Sequence, residues 1–450
     1  MLLCADYVLP ITSDPIESGA VLVRNGKIKD VGPADQLRAR YADEEVRDFG
    51  QAALMPGFVN VHSHVEYTVM RGVVHDVPYA QWLPLVTEKS GALTAADLYD
   101  SALIGGLEAL ASGITTLGDI TGSESTVRAL NALGMRGVIY REVSAMDRRR
   151  VEYAMEAAES DIERWTSAVN SDLITIGIAP APLYRCHPMI FKLVSEYAGD
   201  AIPVAMHLAG SQEEYDFIES GSSSLSVEIM HRREYMEIPP WLPTGVTPAN
   251  YVLNWGAFDA KQVMAIHCVH VSDADIQKMR EYDVAVGFCP RCNAHLGMGV
   301  APLDEFRKAG LRIGLGTDSP AATDSGDMFP EMRIGLMVQR AVGGGRHFLA
   351  AHSMLEMATI GGARALRIDD KVGSLEVGKR ADITAVDMSG SHQTPTDTPM
   401  SALVNTGSAS DVLMTMVDGN VLYDQNKWHT DVELAKSIAH VMMTRRKLRK

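Results

Sequence analysis

Two histidines stand two residues apart at the end of an apolar run, in the stretch "VNVHSHVEY" (59–67). Residues i and i+2 of a β-strand project from the same face, so His62 and His64 can direct both imidazoles at one point. Imidazole nitrogen is a common ligand of transition metals. The spacing therefore predicts half of a metal site, provided that other ligands converge on the same point.

Three further polar residues end apolar runs later in the chain: His207 in "IPVAMHLA", His267 in "VMAIHCVH" and Asp318 in "RIGLGTDS". A buried imidazole or carboxylate is costly unless it has a partner. One such histidine is usually an ordinary core residue, but five polar residues in equivalent positions are hard to attribute to accident. Together they form a normal ligand set for Zn²⁺ or Fe²⁺, with a position left open for water.

The elements that must position these residues follow from a strand–helix rhythm between about residues 58 and 368. Segments of helical spacing, such as 94–112, separate short apolar runs. Eight such units predict an α/β fold with a (β/α)₈ TIM-like barrel, whose chemistry lies at the C-terminal ends of the strands. The eight strand candidates are 53–64, 113–120, 136–143, 174–182, 202–209, 263–270, 283–290 and 312–319.

The sequence pattern at both ends of the chain differs from that of residues 58–368: it predicts short strands separated by turns. Asn25-Gly26 and Asp418-Gly419 each separate two apolar runs, which is typical of β-hairpins. We expect residues 1–57 and 369–450 to join in one small β-sandwich domain beside the barrel of residues 58–368. The basic end, "TRRKLRK" (444–450), is interpreted as a solvated helical tail.

Composition excludes several classes of function. The net charge of −16 argues against nucleic-acid binding, which needs clustered Lys and Arg. Five cysteines among 450 residues are too few and too odd in number for a disulfide scaffold, which favours a cytoplasmic protein. Cys289 and Cys292 form a lone CxxC pair, a weak metal or redox signal. No segment has the length and apolarity of a signal peptide or a membrane span.

Several motifs carry a resemblance to a known family. They are "LMPGFVNVHSH", "MHLA", "IHCVHVSDADI", "CPRCNAHLGMGVAPL" and "GLGTDSPAATDSGDMFPEMR". The set resembles the amidohydrolase superfamily, in particular its cytosine-, chlorotriazine- and S-adenosylhomocysteine (methylthioadenosine) deaminase-like branch, and it covers nearly the whole chain. By this resemblance His62, His64, His207 and Asp318 match metal ligands. His267 matches the histidine that contacts the attacking water.

The chemistry implied by this set is hydrolysis. A divalent metal lowers the pKa of a bound water toward about 7, so that a metal hydroxide can attack an sp² carbon. Asp318 can take the proton from that water, and His267 can orient it. Two-metal relatives need a bridging Lys or Glu on the fourth strand. That strand ends in "IAPAPLYRC" here, so we expect a single metal.

Three positions depart from the usual deaminase pattern of this branch. Gly210 stands where a glutamate normally protonates the ring and serves the leaving amine. Ala181 replaces a histidine after the fourth strand, and Ala322 replaces a serine after the last aspartate. The changes predict a wider and less polar substrate pocket at these positions.

Other residues are candidates for the missing roles. Glu142 and Glu213 are candidate catalytic acids, although an ion pair for Glu142 and a solvated helix face for Glu213 are the alternatives. Trp82 is expected to cover a flat substrate or to be an ordinary packing residue. Arg141 is a candidate for binding an anionic group of the substrate. The alternative is an ion pair within the protein, which is more common for an arginine at the end of a strand.

These observations favour a mononuclear metal-dependent hydrolase, with zinc as the first choice of metal and iron as the second. The leading interpretation is an aminohydrolase (deaminase) of a small nitrogen heterocycle or nucleoside-like substrate. Hydrolysis with a non-amine leaving group, at a C–Cl, C–S, amide or carbamate bond, is the alternative that the three departures support. A non-catalytic or inactivated metal-binding member is the third. A homodimer is expected because the relatives are often oligomers.

Overall fold

A computed structural model describes residues 1–225, 242–346 and 348–449. The central element is a parallel sheet of eight strands in sequential order. Each strand pairs in parallel with the next, as in a (β/α)₈ barrel. The strands are β6 (Phe58–Ser63), β7 (Ile114–Thr121), β8 (Arg136–Val143), β9 (Ile174–Pro180), β10 (Val204–Leu208), β11 (Val263–His267), β12 (Ala285–Phe288) and β13 (Ile313–Leu315).

The eight predicted barrel strands are therefore confirmed, except that the first candidate, 53–64, divides near Gly57, and its first half, Ala52–Pro56, belongs to a second sheet. The barrel is nearly closed. An isolated parallel bridge between Ser63 and Asp318 joins the two ends of the sheet, and the Asp318 amide donates to the His62 carbonyl at 2.9 Å. Strands β6, β7, β11, β12 and β13 are buried at every position. Helices cover the outer face of these strands and packed side chains cover the inner face. Strands buried on both faces have continuous apolar sequences, which is why they could be predicted.

Most of the helices connect the barrel strands or cover them, whereas Ala34–Arg40 packs on the second sheet. Their bounds are Ala34–Arg40, Tyr79–Ser90, Ala95–Ala111, Ser125–Leu133, Val151–Ala168, Met189–Ala198, Gln212–Ser220, Pro248–Asn254, Asp273–Glu281, Pro290–His295, Leu303–Ala309, Pro320–Thr323, Met328–Gly343, Ala351–Met357, Ile360–Ala365, Pro399–Asn405 and Leu434–Leu448. Short 3₁₀ turns lie at Val65–Met70, Arg148–Arg150, Leu183–Arg185, Gly344–Arg346 and Ala409–Asp411. None of the helices within these described ranges is long and apolar enough to cross a membrane.

A second, mixed sheet combines the two ends of the chain, as predicted. Its strands are β1 (Leu2–Val8), β2 (Ile16–Arg24), β3 (Lys27–Pro33), β4 (Val46–Asp48), β5 (Ala52–Pro56), β14 (Ile383–Asp387), β15 (Val412–Val417), β16 (Asn420–Asp424) and β17 (Lys427–Trp428). The junction between the ends is the antiparallel pair β5–β14, with Ile383 opposite Pro56. All nine strands are hydrogen-bonded in one sheet. The domain boundaries at 57/58 and 368/369 stay predictions.

The basic C-terminal segment packs against the barrel, which corrects its interpretation as a solvated tail. Leu448 is buried in an apolar cluster with Trp82 and Val86. The Lys89 ammonium donates to the Leu448 carbonyl at 2.9 Å, and Arg445 donates to the Gly72 carbonyl at 2.7 Å. The helix Leu434–Leu448 therefore holds down the segment that carries Trp82.

A buried ion pair joins the barrel to the second sheet. Arg136 at the start of β8 donates to both carboxylate oxygens of Asp382, at 2.7 and 2.9 Å, and both residues are 3% exposed. Removing one partner leaves the other charge buried and unpaired. We expect Arg136→Met to lower the free energy of unfolding by about 3–5 kcal/mol. Urea denaturation followed by circular dichroism measures this change.

A matched control is Arg148→Met, which removes an exposed pair with Glu152. Such exposed pairs contribute little to stability because solvent and salt screen them, so this variant should unfold close to the wild type. Equal losses in the two variants would show that the Arg136–Asp382 pair does not hold the two parts of the molecule together.

Candidate active site

His62 and His64 end β6, and the backbone around them is fixed by polar side chains. Asn60 Oδ1 accepts from the His62 amide at 3.2 Å and from the Thr317 amide at 3.1 Å, which ties the first barrel strand to the last. His64 Nδ1 lies 2.8 Å from the Ile120 carbonyl, so it carries the proton. The Nε2 lone pair of His64 is therefore left to face the barrel interior.

His207 and His267 stand on the neighbouring strands β10 and β11. The register places Leu208 opposite His267, so both imidazoles lie at the same level of the barrel. His267 Nδ1 is 2.9 Å from Asn293 Oδ1, which fixes the orientation of the ring. His267 also has a φ of +72°, a backbone strain that non-glycine residues accept mainly at functional sites.

Asp318 follows β13 and is also held in the left-handed region, with a φ of +60°. The Ser319 amide donates to Asp318 Oδ1 at 2.6 Å. With the bridge to Ser63, these contacts place the carboxylate against the histidines of β6.

The five predicted residues converge on one point. Asp318 Oδ1 lies 3.3 Å from His62 Nε2 and 3.8 Å from His64 Nε2, and Oδ2 lies 3.7 Å from His267 Nε2. His207 completes the cluster, with its ring 5.0 Å from that of His62 and 5.7 Å from that of His267. Two overlapping triplets of ligand atoms, each within 4.8 Å, are His62–His64–His207 and His62–His267–Asp318.

The electrostatics of this cluster fit a cation. Burial lowers the pKa of His62 to about 4 and that of His207 well below its usual range, so both present lone pairs at pH 7. Burial acts to raise the pKa of Asp318, but the adjacent imidazoles, His62 foremost, hold it well below its usual range. Within the described residues His62 Nε2 and His207 Nδ1 have no hydrogen-bond partner. Buried orphan nitrogens beside an ionised carboxylate are the donor set that a divalent metal requires.

A cavity of about 220 Å³ opens above the cluster. One part of its wall is aromatic, with Tyr67, Tyr79, Trp82 and Tyr184. A second part is apolar, with Cys292, Leu296 and Met298. The polar side chains that line it besides the metal-site residues are Glu66, Thr87, Ser90, Glu142, Arg185 and Ser319.

Trp82 lies in this wall, on the helix Tyr79–Ser90 after the first barrel strand. Its indole nitrogen donates to the Ala321 carbonyl at 3.2 Å, and its ring stacks at 6.4 Å on Tyr79. The residue is both packed, at 9% exposure, and part of the cavity surface. The helix can therefore present an aromatic face to a flat ligand.

The three substituted positions, Gly210, Ala181 and Ala322, are buried and are not among the residues that line the cavity. Their part in binding substrate stays a prediction. A Cβ at Gly210 would lie 2.9 Å from Met298 Cε and 3.3 Å from His267 Cδ2. The methyl of Met298 thus covers the place toward which a longer side chain at position 210 would point.

Glu142 lines the cavity, whereas its neighbour Arg141 does not. Arg141 Nε donates to Asp161 Oδ2 at 2.8 Å, and its guanidinium lies 5.9 Å from the ring of Trp165. Arg141 thus forms the ion pair that was the alternative to substrate binding, since adjacent strand residues face opposite sides and Arg141 faces the covering helix. The Glu142 carboxylate has no hydrogen-bond partner within residues 1–225, 242–346 and 348–449.

Glu213 is half-buried on the first turn of the helix Gln212–Ser220 and lies outside the cavity lining, so it is not a cavity acid. The next residue, Glu214, is buried. It accepts from the Ala209 amide at 3.0 Å and the Gly210 amide at 3.2 Å, and burial raises its pKa to about 7. Glu214 holds the backbone at the end of β10, a role that its helix N-terminal position after Ser211 could have signalled.

Many of the cavity residues were not anticipated, among them Glu66, Tyr79, Tyr184 and Arg185. Glu66 accepts from Thr121 and Ser123, each at 2.8 Å, and burial raises its pKa. The other three lie on segments that follow β6 and β9. Sequence periodicity does not predict the position of such residues, because the course of a loop, and not the alternation of a strand, places them in the site.

Comparison with known proteins resolves the family. Residues 53–422 match the model described as "Amidohydrolase family". The chain belongs to the amidohydrolase family. A 5-methylthioadenosine/S-adenosylhomocysteine deaminase of Desulforudis audaxviator is 31% identical to it over 92% of this chain and 91% of the relative.

Solved structures agree with this assignment. An adenosine deaminase from Xanthomonas campestris with bound zinc is 26% identical, with a TM-score of 0.85, and covers 100% of this chain and 98% of that one. An atrazine chlorohydrolase from Arthrobacter aurescens complexed with zinc is 22% identical, with a TM-score of 0.83 over 99% of both chains, and shares the fold.

As a member of the amidohydrolase family, the protein is a metal-dependent hydrolase that acts on carbon–nitrogen bonds of small molecules. The convergent histidines and Asp318 supply a site for a divalent metal. The resemblance drawn from the sequence motifs is confirmed, as is the deaminase-like branch to which they pointed.

Proposed function

We propose that this amidohydrolase is a zinc-dependent aminohydrolase of a flat, amino-substituted nitrogen heterocycle of the purine-nucleoside type. The observation that carries the proposal is the combination of the five-residue metal cluster with an aromatic-walled cavity that also holds a carboxylate, Glu142. The similarity to a deaminase of adenosine-derived thioethers and to a zinc-containing adenosine deaminase supports this substrate class.

The metal would be held by the imidazoles of His62, His64 and His207 with Asp318, and His267 lies beside them. When bound, a divalent cation supplies Lewis-acid activation of water at neutral pH. Hydrolysis of an amine gives ammonia and an oxo product, so the two protons of water must reach the ring and the leaving nitrogen. Asp318 takes the first proton from the attacking water and delivers it to the ring.

Glu142 takes the second proton in this proposal and delivers it to the departing amine, so that it starts and ends as a carboxylate. His267 orients the water, with its ring fixed by Asn293. Trp82 holds the ring flat against the aromatic wall. Closure of the cavity by these side chains excludes bulk water from the reacting atoms.

Ammonia release tests the proposal. The zinc-loaded enzyme should release ammonia from at least one class among aminated purine nucleosides, 5′-thio-substituted adenosines, pterins, pyrimidines and triazines. Metal content measured on the same sample separates an inactive protein from an unloaded one. Zinc-loaded protein that releases no ammonia across this panel would overturn the aminohydrolase assignment.

A second candidate function follows from the wall near Gly210, where the Met298 methyl replaces an acid. A leaving group that departs as a stable anion, such as chloride or a thiolate, needs no protonation. Release of chloride or thiol from the corresponding substituted heterocycles, measured beside ammonia, distinguishes this reaction from deamination.

Gly210→Glu probes the same wall. If position 210 limits proton delivery, the variant should release ammonia at least about 10²-fold faster than the wild type, because a positioned proton-transfer group contributes about 10²–10⁴-fold. The Met298 methyl must first move aside, so the matched background is Met298→Ala with and without Gly210→Glu. An unchanged rate in both backgrounds would show that the native chemistry does not need an acid at position 210.

We also propose that the protein is a homodimer located in the cytoplasm, with no nucleic-acid partner. The net charge of −16 supports the last point.

A further inference from the structure

Two tyrosine hydroxyls meet inside the cavity. Tyr79 Oη, from the helix after the first barrel strand, forms a hydrogen bond with Tyr184 Oη, from the loop after β9. Both rings line the cavity, and Tyr184 is 2% exposed. The pair joins two segments that are far apart in the sequence, at the wall of the cavity in which a ligand would bind.

The pair occupies the sector from which the usual polar groups are missing. Tyr184 follows Ala181 by three residues in the same loop. The Tyr79 amide donates to the Leu296 carbonyl at 3.0 Å, which places it beside the loop of Met298, whose methyl covers Gly210. The hydroxyl pair therefore belongs to segments adjoining the two positions at which, by the family resemblance, Ala181 and Gly210 stand in place of a histidine and a glutamate.

The phenols stay protonated at neutral pH, since burial raises the pKa of both Tyr79 and Tyr184 above the ordinary value. Two hydroxyls carry two protons and four lone pairs, and one bond between them uses one of each. Tyr79 Oη can thus also hydrogen-bond a ligand while it remains bonded to Tyr184 Oη. A phenol of this kind orients a ring by hydrogen bonding but does not hand over its proton.

We infer that the Tyr79–Tyr184 hydroxyl pair hydrogen-bonds a ring nitrogen of the substrate and so determines which heterocycle is accepted. The inference rests on the proposed function, because it names the residues that recognise the ring of that substrate by hydrogen bonding. It separates two tasks that one glutamate would combine: the pair recognises the ring, while Asp318 and Glu142 move protons.

The test compares Tyr79→Phe with the wild type on the best amine of the panel and on its analogues in which each ring nitrogen in turn is CH. With the parent substrate KM should rise about tenfold, the value of one buried hydrogen bond, while kcat changes less. For the analogue that lacks the contacted ring nitrogen, the wild type and Tyr79→Phe should have the same KM. For every other analogue, Tyr79→Phe should still raise KM.

Tyr251→Phe is the matched control, since Tyr251 is also a buried tyrosine but lies outside the cavity lining, with its ring 6.5 Å from that of Phe191. It should leave KM unchanged. Tyr184→Phe should reproduce the analogue dependence of Tyr79→Phe. A loss that is equal for all analogues would mean that the pair only holds the fold, and no loss would mean that it does not contact the ring; either result overturns the inference. A wild type that releases no ammonia would instead reject the proposed function.

Discussion

Asp318→Asn is expected to lower kcat/KM by at least about 10³-fold, because the amide cannot take a proton from the attacking water. Its geometry should be preserved. Asparagine has the same shape as aspartate and tolerates the φ of +60° at this position. The amide also removes the one negative charge that faces the three Nε2 atoms of His62, His64 and His267, so zinc content should fall.

Asp324→Asn is a close control for this variant. Asp324 also has a φ of +60°, but it is exposed and six residues further along the chain. It should keep wild-type activity and zinc. The measurements are the rate of ammonia release at saturating zinc and the metal content per chain. An Asp318→Asn enzyme that keeps its zinc and more than about a tenth of the activity would show that Asp318 is not the proton acceptor.

Glu142→Gln should lower kcat by about 10²–10⁴-fold, the contribution of a positioned proton-transfer group, with a much smaller change in KM. The reason is that Glu142 is the cavity carboxylate without a hydrogen-bond partner in the part of the chain that the structure describes, whereas Glu66 is engaged by Thr121 and Ser123. Glutamine keeps the size of the side chain but cannot cycle a proton between the new hydroxyl and the leaving amine.

Glu213→Gln is the matched control, since Glu213 lies on the first turn of a nearby helix outside the cavity lining. It should not change kcat. The pH dependence of kcat gives an independent reading, because loss of a proton carrier should remove one limb of the profile. A Glu142→Gln enzyme within about threefold of the wild type would assign the proton to another route.

The parts of the structure that sequence reasoning anticipated are those governed by periodicity. Each barrel strand is a short, largely buried apolar run, and a polar residue at the end of such a run can only face the barrel mouth or the outer helices. His62, His64, His207, His267 and Asp318 follow this rule. Strict alternation would also have separated Glu142 from Arg141, because adjacent residues of β8 cannot both face the interior.

The parts that were missed depend on the course of loops. Tyr79 reaches the cavity because its helix is held down by a C-terminal helix hundreds of residues away, through contacts such as that of Lys89 with the Leu448 carbonyl. Glu214, rather than Glu213, is buried because of where the helix begins after Ser211. A one-residue shift in a helix start is below the precision of sequence patterns.

The mixed sheet that joins both chain ends has a consequence for how the protein is made. During synthesis β5 emerges early, but its partner β14 leaves the ribosome only after the whole barrel has been translated. Until then β5 presents an unpaired edge, a template for association with other nascent chains. Pairing across so large a sequence separation is also slow. Yield in recombinant hosts should therefore depend on chaperones that shield the first strands while the ribosome completes the chain.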